Sequence, residues 1–328
     1  MTSVDITSGS RLHFGLLCAP PESNWHYGGL GLMLNQPAWQ INVSLETDST
    51  DDEINTSPAV AERAIRLLAE FRQLDPQLPA VRITTLNEVG HHAGLGSGTQ
   101  LTLSLAAAFV LLSGQPRPNS IETLATKLGR RQRSAIGTYG FDHGGFIVDH
   151  GRTENKIQRI VFPEDWRMVL LTPTVSQGMS GTTEEMFFGQ TAFVDLALIE
   201  EFDALIHQKI LPALTNRNLP DFRTALAVYG EMAGQHYAAA QGGTFSNESI
   251  RQVTKQLGQQ GISGAVQSSW GPTVCIPTAD QAEALDIQQA VHQITAPQQM
   301  QVTIAEPRNT GATIRTVASE ENHYRSFG

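Results

Sequence analysis

The chain has 328 residues, 40% hydrophobic and 16% charged, with a formal charge of −10 from 32 acidic and 22 basic residues. Nucleic acid and anionic membrane are poor partners for that balance, since both require a concentrated positive face; the low charge content points instead to extensive burial or a homodimer interface. Cys18 and Cys275 lack CxxC or Cys/His ligand spacing, so they read as buried thiols in a reducing cytoplasm rather than as a zinc or disulfide framework.

The first residues lack the basic start and apolar middle of a signal peptide, and the apolar run Leu103 to Leu112 is too short for the ~20 residues that span a bilayer. A cytoplasmic location is the expectation. Period-two alternation over residues 3–17 and 29–46 predicts two antiparallel strands joined by a loop at Ala19 to Tyr27. Ala61, Ile65, Leu68 and Phe71 then mark one face of a helix that stops before Pro76, and residues 79–89 read as a strand. A glycine-rich turn opens a small-residue helix ending near Leu112; a second helix starts at Ser120, and residues 144–151 and 155–163 form a hairpin-like pair. Beyond Trp166 come a strand, helices over residues 184–214, 219–240 and 246–259, a Gly/Ser-rich loop, a helix near 278–295 and a final strand at 298–307. Strands and helices without regular βαβ alternation argue α+β, with domains at 1–165 and 166–328, the second ferredoxin-like.

Chemistry concentrates in four stretches. In "GLGSGTQ", Gly94, Gly96 and Gly98 allow a tight turn, Ser97 and Thr99 add hydroxyls, and the following helix aims its positive end at the turn, so an anion such as phosphate is expected there. Gln100 stands where a Walker loop carries Lys, so the balancing charge must come from elsewhere. "GRRQRSAIGTYGFDHGG" offers Arg130 and Arg133 for that charge, then Asp142 and His143 between two glycine-bearing turns as an acid/base or Mg²⁺-ligand pair. From spacing alone, an Asx turn is the better account of Asp142. Arg11 and His13 share one strand face, and a single His in an apolar strand is more often structural than catalytic. Tyr27 ends a binding loop or a hairpin turn, while Ser268, Ser269 and Trp270 in "QSSWGPTV" supply hydroxyls and a ring that stacks on an aromatic ligand or packs a domain seam.

Taken together, "GLGSGTQLTLSLAAA" and "GISGAVQSSWGPTVCI" resemble the phosphate loop and C-terminal glycine-rich loop of the GHMP kinase superfamily. Within it, "SRLHFGLL", "YGGLGLML", "RRQRSAIGTYGFDHGGFIVDHG", "GMSGTTEEMFF", "AAAQGGTFSN" and "VQSSWGPTV" resemble the β-ribofuranosylaminobenzene 5′-phosphate synthases of tetrahydromethanopterin biosynthesis. That family commonly has Glu at the position of Asp142, and its loop corresponding to "CAPPESNWHYGG" carries Asp and Arg.

The resemblance implies a ribosomal-protein-S5-like N-terminal domain and a ferredoxin-like C-terminal one. It also implies that phosphoribosyl pyrophosphate condenses with 4-aminobenzoate or 4-hydroxybenzoate, releasing pyrophosphate and CO₂, with Mg²⁺ and no organic cofactor. In that reading Gly94 to Gln100, Arg130 and Arg133 hold phosphate, and Asp142, His143 and His13 supply catalysis or, for Asp142, the metal. Arg11, Tyr27, Ser268, Ser269 and Trp270 position substrate. The alternative is an ATP-dependent kinase of the same superfamily, against which Gln100 stands.

Overall fold

The computed structural model describes residues 3–18, 27–46, 49–90, 93–114, 135–151, 157–174 and 193–317. Strands β1 (Ser3–Cys18) and β2 (Tyr27–Leu45) are long antiparallel partners, as the alternation predicts. They are followed by β3 (Glu53–Asn55), α1 (Pro58–Leu74), β4 (Val81–Asn87), α2 (Ser97–Leu112), α3 (Ile136–His143), β5 (Phe146–Asp149) and β6 (Ile157–Ile160). The second half holds β7 (Arg167–Pro173), then α4 (Leu196–Leu205), which runs through a π turn at Ile206–Ile210 into α5 (Leu211–Thr215). Next come α6 (Leu219–His236), α7 (Ala238–Gln241), α8 (Glu248–Gln259), β8 (Val266–Gln267), β9 (Val274–Thr278), α9 (Gln281–Ile294), β10 (Met300–Ala305) and β11 (Thr313–Val317).

Two sheets organise these elements. The larger runs β11-β1-β2-β4-β3, with β5 also paired to β2 and β6 to β5; the smaller runs β10-β7-β9-β8. Its helices α8 and α9 bury Ile250, Val253, Leu257, Ala284, Ile287 and Val291 with Val169, Leu171 and Ile276 of that sheet. This is the two-layer α+β arrangement anticipated for the C-terminal half. Strand β11 lies instead on the outer edge of β1, so the larger sheet takes a strand from beyond the 165/166 boundary. The cores also merge: Phe146, Phe162, Trp166 and Phe222 form one aromatic cluster across that boundary.

Helix α2 is buried on nearly every side, which explains its uniform run of Leu, Ala, Phe and Val. Its neighbour α1 buries Val60, Ala64, Leu67, Leu68 and Phe71. Leu68 and Phe71 of the expected face are buried, whereas Ile65 is 55% exposed and Ala61 only partly buried. Val60, Ala64 and Leu67 take the inward positions instead, a shift of one residue along the first turns. Arg63 is left half-buried beside α2.

Residues 146–149 and 157–160 form the expected hairpin pair, β5 with β6. The segment around Asp142, expected as a loop between turns, is helical to His143 and only then turns at Gly144 and Gly145, both with positive φ. The expected helix from Ser120 lies outside the described residues.

Candidate active site

Three segments separated in sequence converge at the head of α2. Gly94 (φ 77°) and Gly96 (φ 67°) are left-handed, a backbone state glycine reaches without the Cβ penalty. A Cβ on Gly94 would lie 2.5 Å from Ser268 O and 2.9 Å from Gly271 O; one on Gly96 would lie 2.7 Å from Arg11 Nε. The glycines are therefore needed for close approach as well as for turning. Leu95 O accepts from Arg11 N at 2.9 Å, and Ser97 O accepts from the buried Trp39 Nε1 at 3.0 Å, which fixes the start of the helix.

Ser268 is the central staple. Its Oγ donates to Gly94 O at 2.7 Å and accepts from His13 N at 3.0 Å, while Ser269 N donates to His13 O at 2.7 Å. β1, the glycine turn and the β8–β9 loop thus share one hydrogen-bonded junction. Ser269 holds φ at 55°, a sparsely populated state for a residue with a Cβ and one that clusters at functional sites. Gln267 braces this loop: its Oε1 accepts from Ser246 N at 2.7 Å and its Nε2 donates to Ser269 O at 3.1 Å and to Gln241 Oε1 at 3.0 Å.

The same loop lines a narrow cleft of ≈ 20 Å³, bounded by Ser269, Trp270, Tyr237, Gln241, Thr244 and small residues such as Gly15 and Gly234. Trp270 and Tyr237 meet edge to face, 4.8 Å between ring centroids. Burial pushes the Tyr237 hydroxyl well above the usual phenol range, so it stays protonated. Its lining of two rings, the Gln241 and Gln267 amides and the hydroxyls of Tyr237, Thr244 and Ser269 has the chemistry to meet an aromatic ring with a polar end, which would have to part the packed rings to enter.

Positive charge comes from two arginines. Arg11 lies against Gly96, and Arg63 lies against Gly98, where an added Cβ would be 2.7 Å from its Nη1. Arg63 Nη2 donates to Thr102 Oγ1 at 3.0 Å. Burial, followed by the nearby Arg66, lowers the Arg63 pKa, yet an arginine remains cationic throughout the physiological range. The positive end of the α2 dipole faces the same turn, while the Thr99 and Gln100 N–H groups donate to Gly96 O at 3.0 and 3.2 Å. An anion is the ligand that this arrangement can hold.

Sequence reasoning missed Arg63, which reads as an ordinary surface residue on an amphipathic helix, and Tyr237; Gln241 and Thr244 flank the Gly242–Gly243 turn of "AAAQGGTFSN", a stretch that carried the resemblance but was given no site residue. Arg11, His13, Gly94, Gly96, Ser97, Gly98, Thr99, Ser268, Ser269 and Trp270 gather at the junction or its cleft. Gln100 does so differently: it is wholly buried and donates from Nε2 to Gly137 O at 2.9 Å, pinning α2 to α3 rather than facing a ligand.

Asp142 and His143 are not brought to the junction. The first turn of α3 touches it, Gly137 packing against Thr99 and Arg11, while Asp142 lies five residues on, ~7.5 Å along the axis at 1.5 Å per residue. There the Asp142 backbone meets Gly311, and the exposed His143 ring lies 4.3 Å from Tyr139. A helix stands where a loop was expected, and it places both residues at the end of α3 away from Gly137. Arg130, Arg133 and the side chain of Tyr27 lie outside the described residues.

His13 is 2% exposed. Burial, then the charge of Arg11, holds its pKa well below the ordinary imidazole value of 6.5. The unfolded chain therefore takes up a proton more readily than the folded one, and stability rises with pH across this window. Its contribution is fully present above about pH 6.5 and is lost as pH falls toward the folded-state pKa, by at most ~1.4 kcal/mol per pH unit. Melting temperatures between pH 5 and 8 should show this decline. In His13→Gln the slope below pH 6.5 should be shallower, and an unchanged slope would assign it to other groups.

Residues 59–147 match the family described as GHMP kinases N terminal domain. The solved mevalonate diphosphate decarboxylase from Enterococcus faecalis is similar at TM-score 0.67 and 13% identity, covering 96% of this chain and 99% of that one. The class is therefore a GHMP-kinase-like fold with N- and C-terminal sub-domains. The β-ribofuranosylphenol 5′-phosphate synthase of Archaeoglobus fulgidus is 31% identical over 66% of this chain and 72% of its own length. That of Methanothermobacter thermautotrophicus is 28% identical over 94% and 97%. The chain belongs to the β-ribofuranosylphenol 5′-phosphate synthase family.

Elsewhere, His150, Asp203 and His207 form a cluster compatible with a divalent metal. No helix among the described residues is long and apolar enough to cross a membrane.

Proposed function

We propose that this chain condenses phosphoribosyl pyrophosphate with a para-substituted benzoate, forming a carbon–carbon bond and releasing pyrophosphate and CO₂. The relatives are named for a phenol product, which favours 4-hydroxybenzoate over 4-aminobenzoate. One observation carries the reading: the loop at Ser268–Trp270 is stapled to the glycine turn through Ser268 and lines the aromatic cleft through Ser269 and Trp270. A phosphorylated sugar and an arene would thus be held against the same loop.

The ribose C1–O bond breaks and pyrophosphate leaves with its electron pair. Arg11, Arg63 and the positive end of the α2 dipole stabilise the charge that grows on it; Mg²⁺, where bound with the pyrophosphate, would add further charge neutralisation. The carboxylate-bearing ring carbon, enriched by the para oxygen, bonds to C1. The bond to the carboxyl carbon then breaks, its electrons restoring aromaticity as CO₂ departs. No net proton is consumed or released, so the reaction places no demand on a strong protein base. A buried, neutral His13 that braces the loop through its backbone is compatible with that balance.

Full-length protein incubated with Mg²⁺, phosphoribosyl pyrophosphate and carboxyl-labelled 4-hydroxybenzoate should release labelled CO₂ and pyrophosphate in equal amounts without ATP. ATP-dependent phosphate transfer without CO₂ would overturn the proposal. Trp270→Ala should raise KM for the benzoate about five- to a hundredfold, from loss of ~1–3 kcal/mol of ring burial, with KM for phosphoribosyl pyrophosphate nearly unchanged. Equal rises in both would move the arene out of this cleft.

A further inference from the structure

His150 follows directly after β5, beside Asp149, whose carboxylate accepts from Ala135 N at 2.9 Å and Gly151 N at 3.1 Å. Asp203 lies in α4 and His207 in the π turn that follows it, one helical turn apart. Asp203 Oδ1 is 3.6 Å from both His150 Nδ1 and His207 Nε2. The two imidazoles are parallel within 3°, their centroids 5.2 Å apart. A direct hydrogen bond would close to about 2.8–3.0 Å, whereas two ligands on one tetrahedral ion with bonds of ~2.1 Å stand ~3.4 Å apart. The observed 3.6 Å is longer than a direct hydrogen bond and close to the separation of two ligands on one ion, and all three ligand atoms lie within 4.8 Å of one another.

The π turn is a second, independent sign. It is closed by Leu211 N–H donating to Ile206 O, and such single turns inside helices concentrate at functional sites. Here the turn contains His207.

We propose that His150, Asp203 and His207 bind one divalent transition-metal ion of the zinc class, clipping the end of β5 to α4. Two imidazole nitrogens and one carboxylate suit Zn²⁺, Co²⁺ or Ni²⁺, whereas Mg²⁺ prefers oxygen ligands and keeps its water. Three protein ligands leave a coordination position for water. The condensing reaction does not enter this inference, and either can fail without the other.

The test uses chelator-treated full-length protein titrated with Co²⁺, followed by its visible ligand-field absorption, and with Zn²⁺, followed by melting temperature. The expected result is one Co²⁺ per chain, displaced by Zn²⁺ but not by excess Mg²⁺, and a melting temperature that climbs with the logarithm of Zn²⁺ concentration. His207→Ala should weaken binding by at least about tenfold. Its side chain is 47% exposed, so the metal-free variant should melt like the metal-free parent. Asp203→Asn should weaken binding too. Absence of a saturable Co²⁺ signal, unchanged affinity in both variants, or equal competition by Mg²⁺ would overturn the proposal.

Discussion

Replacing Gly94 with alanine should reduce kcat/KM on the order of a hundredfold or more while leaving a folded protein. An L-residue held at φ 77° carries a left-handed penalty of ~1–2 kcal/mol. The new Cβ would also press on Ser268 O at 2.5 Å and Gly271 O at 2.9 Å, both backbone atoms with no rotamer to give way. The β8–β9 loop has to shift, which opens the junction and displaces the cleft wall. Misplacement by about 1 Å is enough for a hundredfold loss where two reactants must meet. Gly90→Ala is the control, because an added Cβ there meets nothing within 4 Å. Steady-state rates of CO₂ release with near-ultraviolet circular dichroism check the pair; full activity in Gly94→Ala would remove the glycine turn from the site.

Arg11→Ala should cost a similar amount by a different route. Its guanidinium lies against Gly96 at the end of α2 where pyrophosphate is proposed to develop charge. Charge-assisted hydrogen bonds contribute ~1.5–3 kcal/mol, so kcat/KM for phosphoribosyl pyrophosphate should fall ten- to a few hundredfold, while KM for the benzoate stays within about threefold. Arg11→Lys should recover part of the loss, since a point charge keeps the attraction but not the planar fork. Loss confined to the benzoate KM would reassign Arg11 to the carboxylate of the arene. The same substitution removes one of the two effects that depress the pKa of His13, so the fall in stability below pH 6.5 should become slightly shallower.

Much of this site is legible in the sequence because backbone geometry selects residue types. Gly94 and Gly96 need left-handed φ, and β1 and β2 need alternation, so their patterns survive translation into letters. The face of α1 was harder, because a helix that packs on one side leaves adjacent periodic sets almost equivalent. Only the packing against α2 decides between them, and with it the burial of Arg63. Asp142 shows the reverse difficulty: glycines on both sides suggested a loop, yet Gly137 and Gly140 lie within α3, where they admit Thr99 and the Met33 side chain. Close packing and turning use the same residue for different reasons. Gln100 was informative as a departure from the Walker pattern, but its physical work is to hold two helices together. Of the three ligands of the proposed metal site, Asp203 and His207 are one helical turn apart, but His150 is 53 positions away, so spacing alone does not bring the set together.

The pairing of β11 with β1 has a consequence for how the chain is made. During synthesis β1 emerges first, but five of its residues find their outer partners only when residues 313–317 appear. Until then that edge offers unpaired N–H and C=O groups to any passing strand. The N-terminal half cannot close its sheet as an early, independent unit, and the aromatic cluster shared with Trp166 and Phe222 delays its core in the same way. Completion of the larger sheet is thereby tied to the synthesis of residues 313–317, and a nascent chain stalled before Thr313 should be a preferred substrate for chaperones.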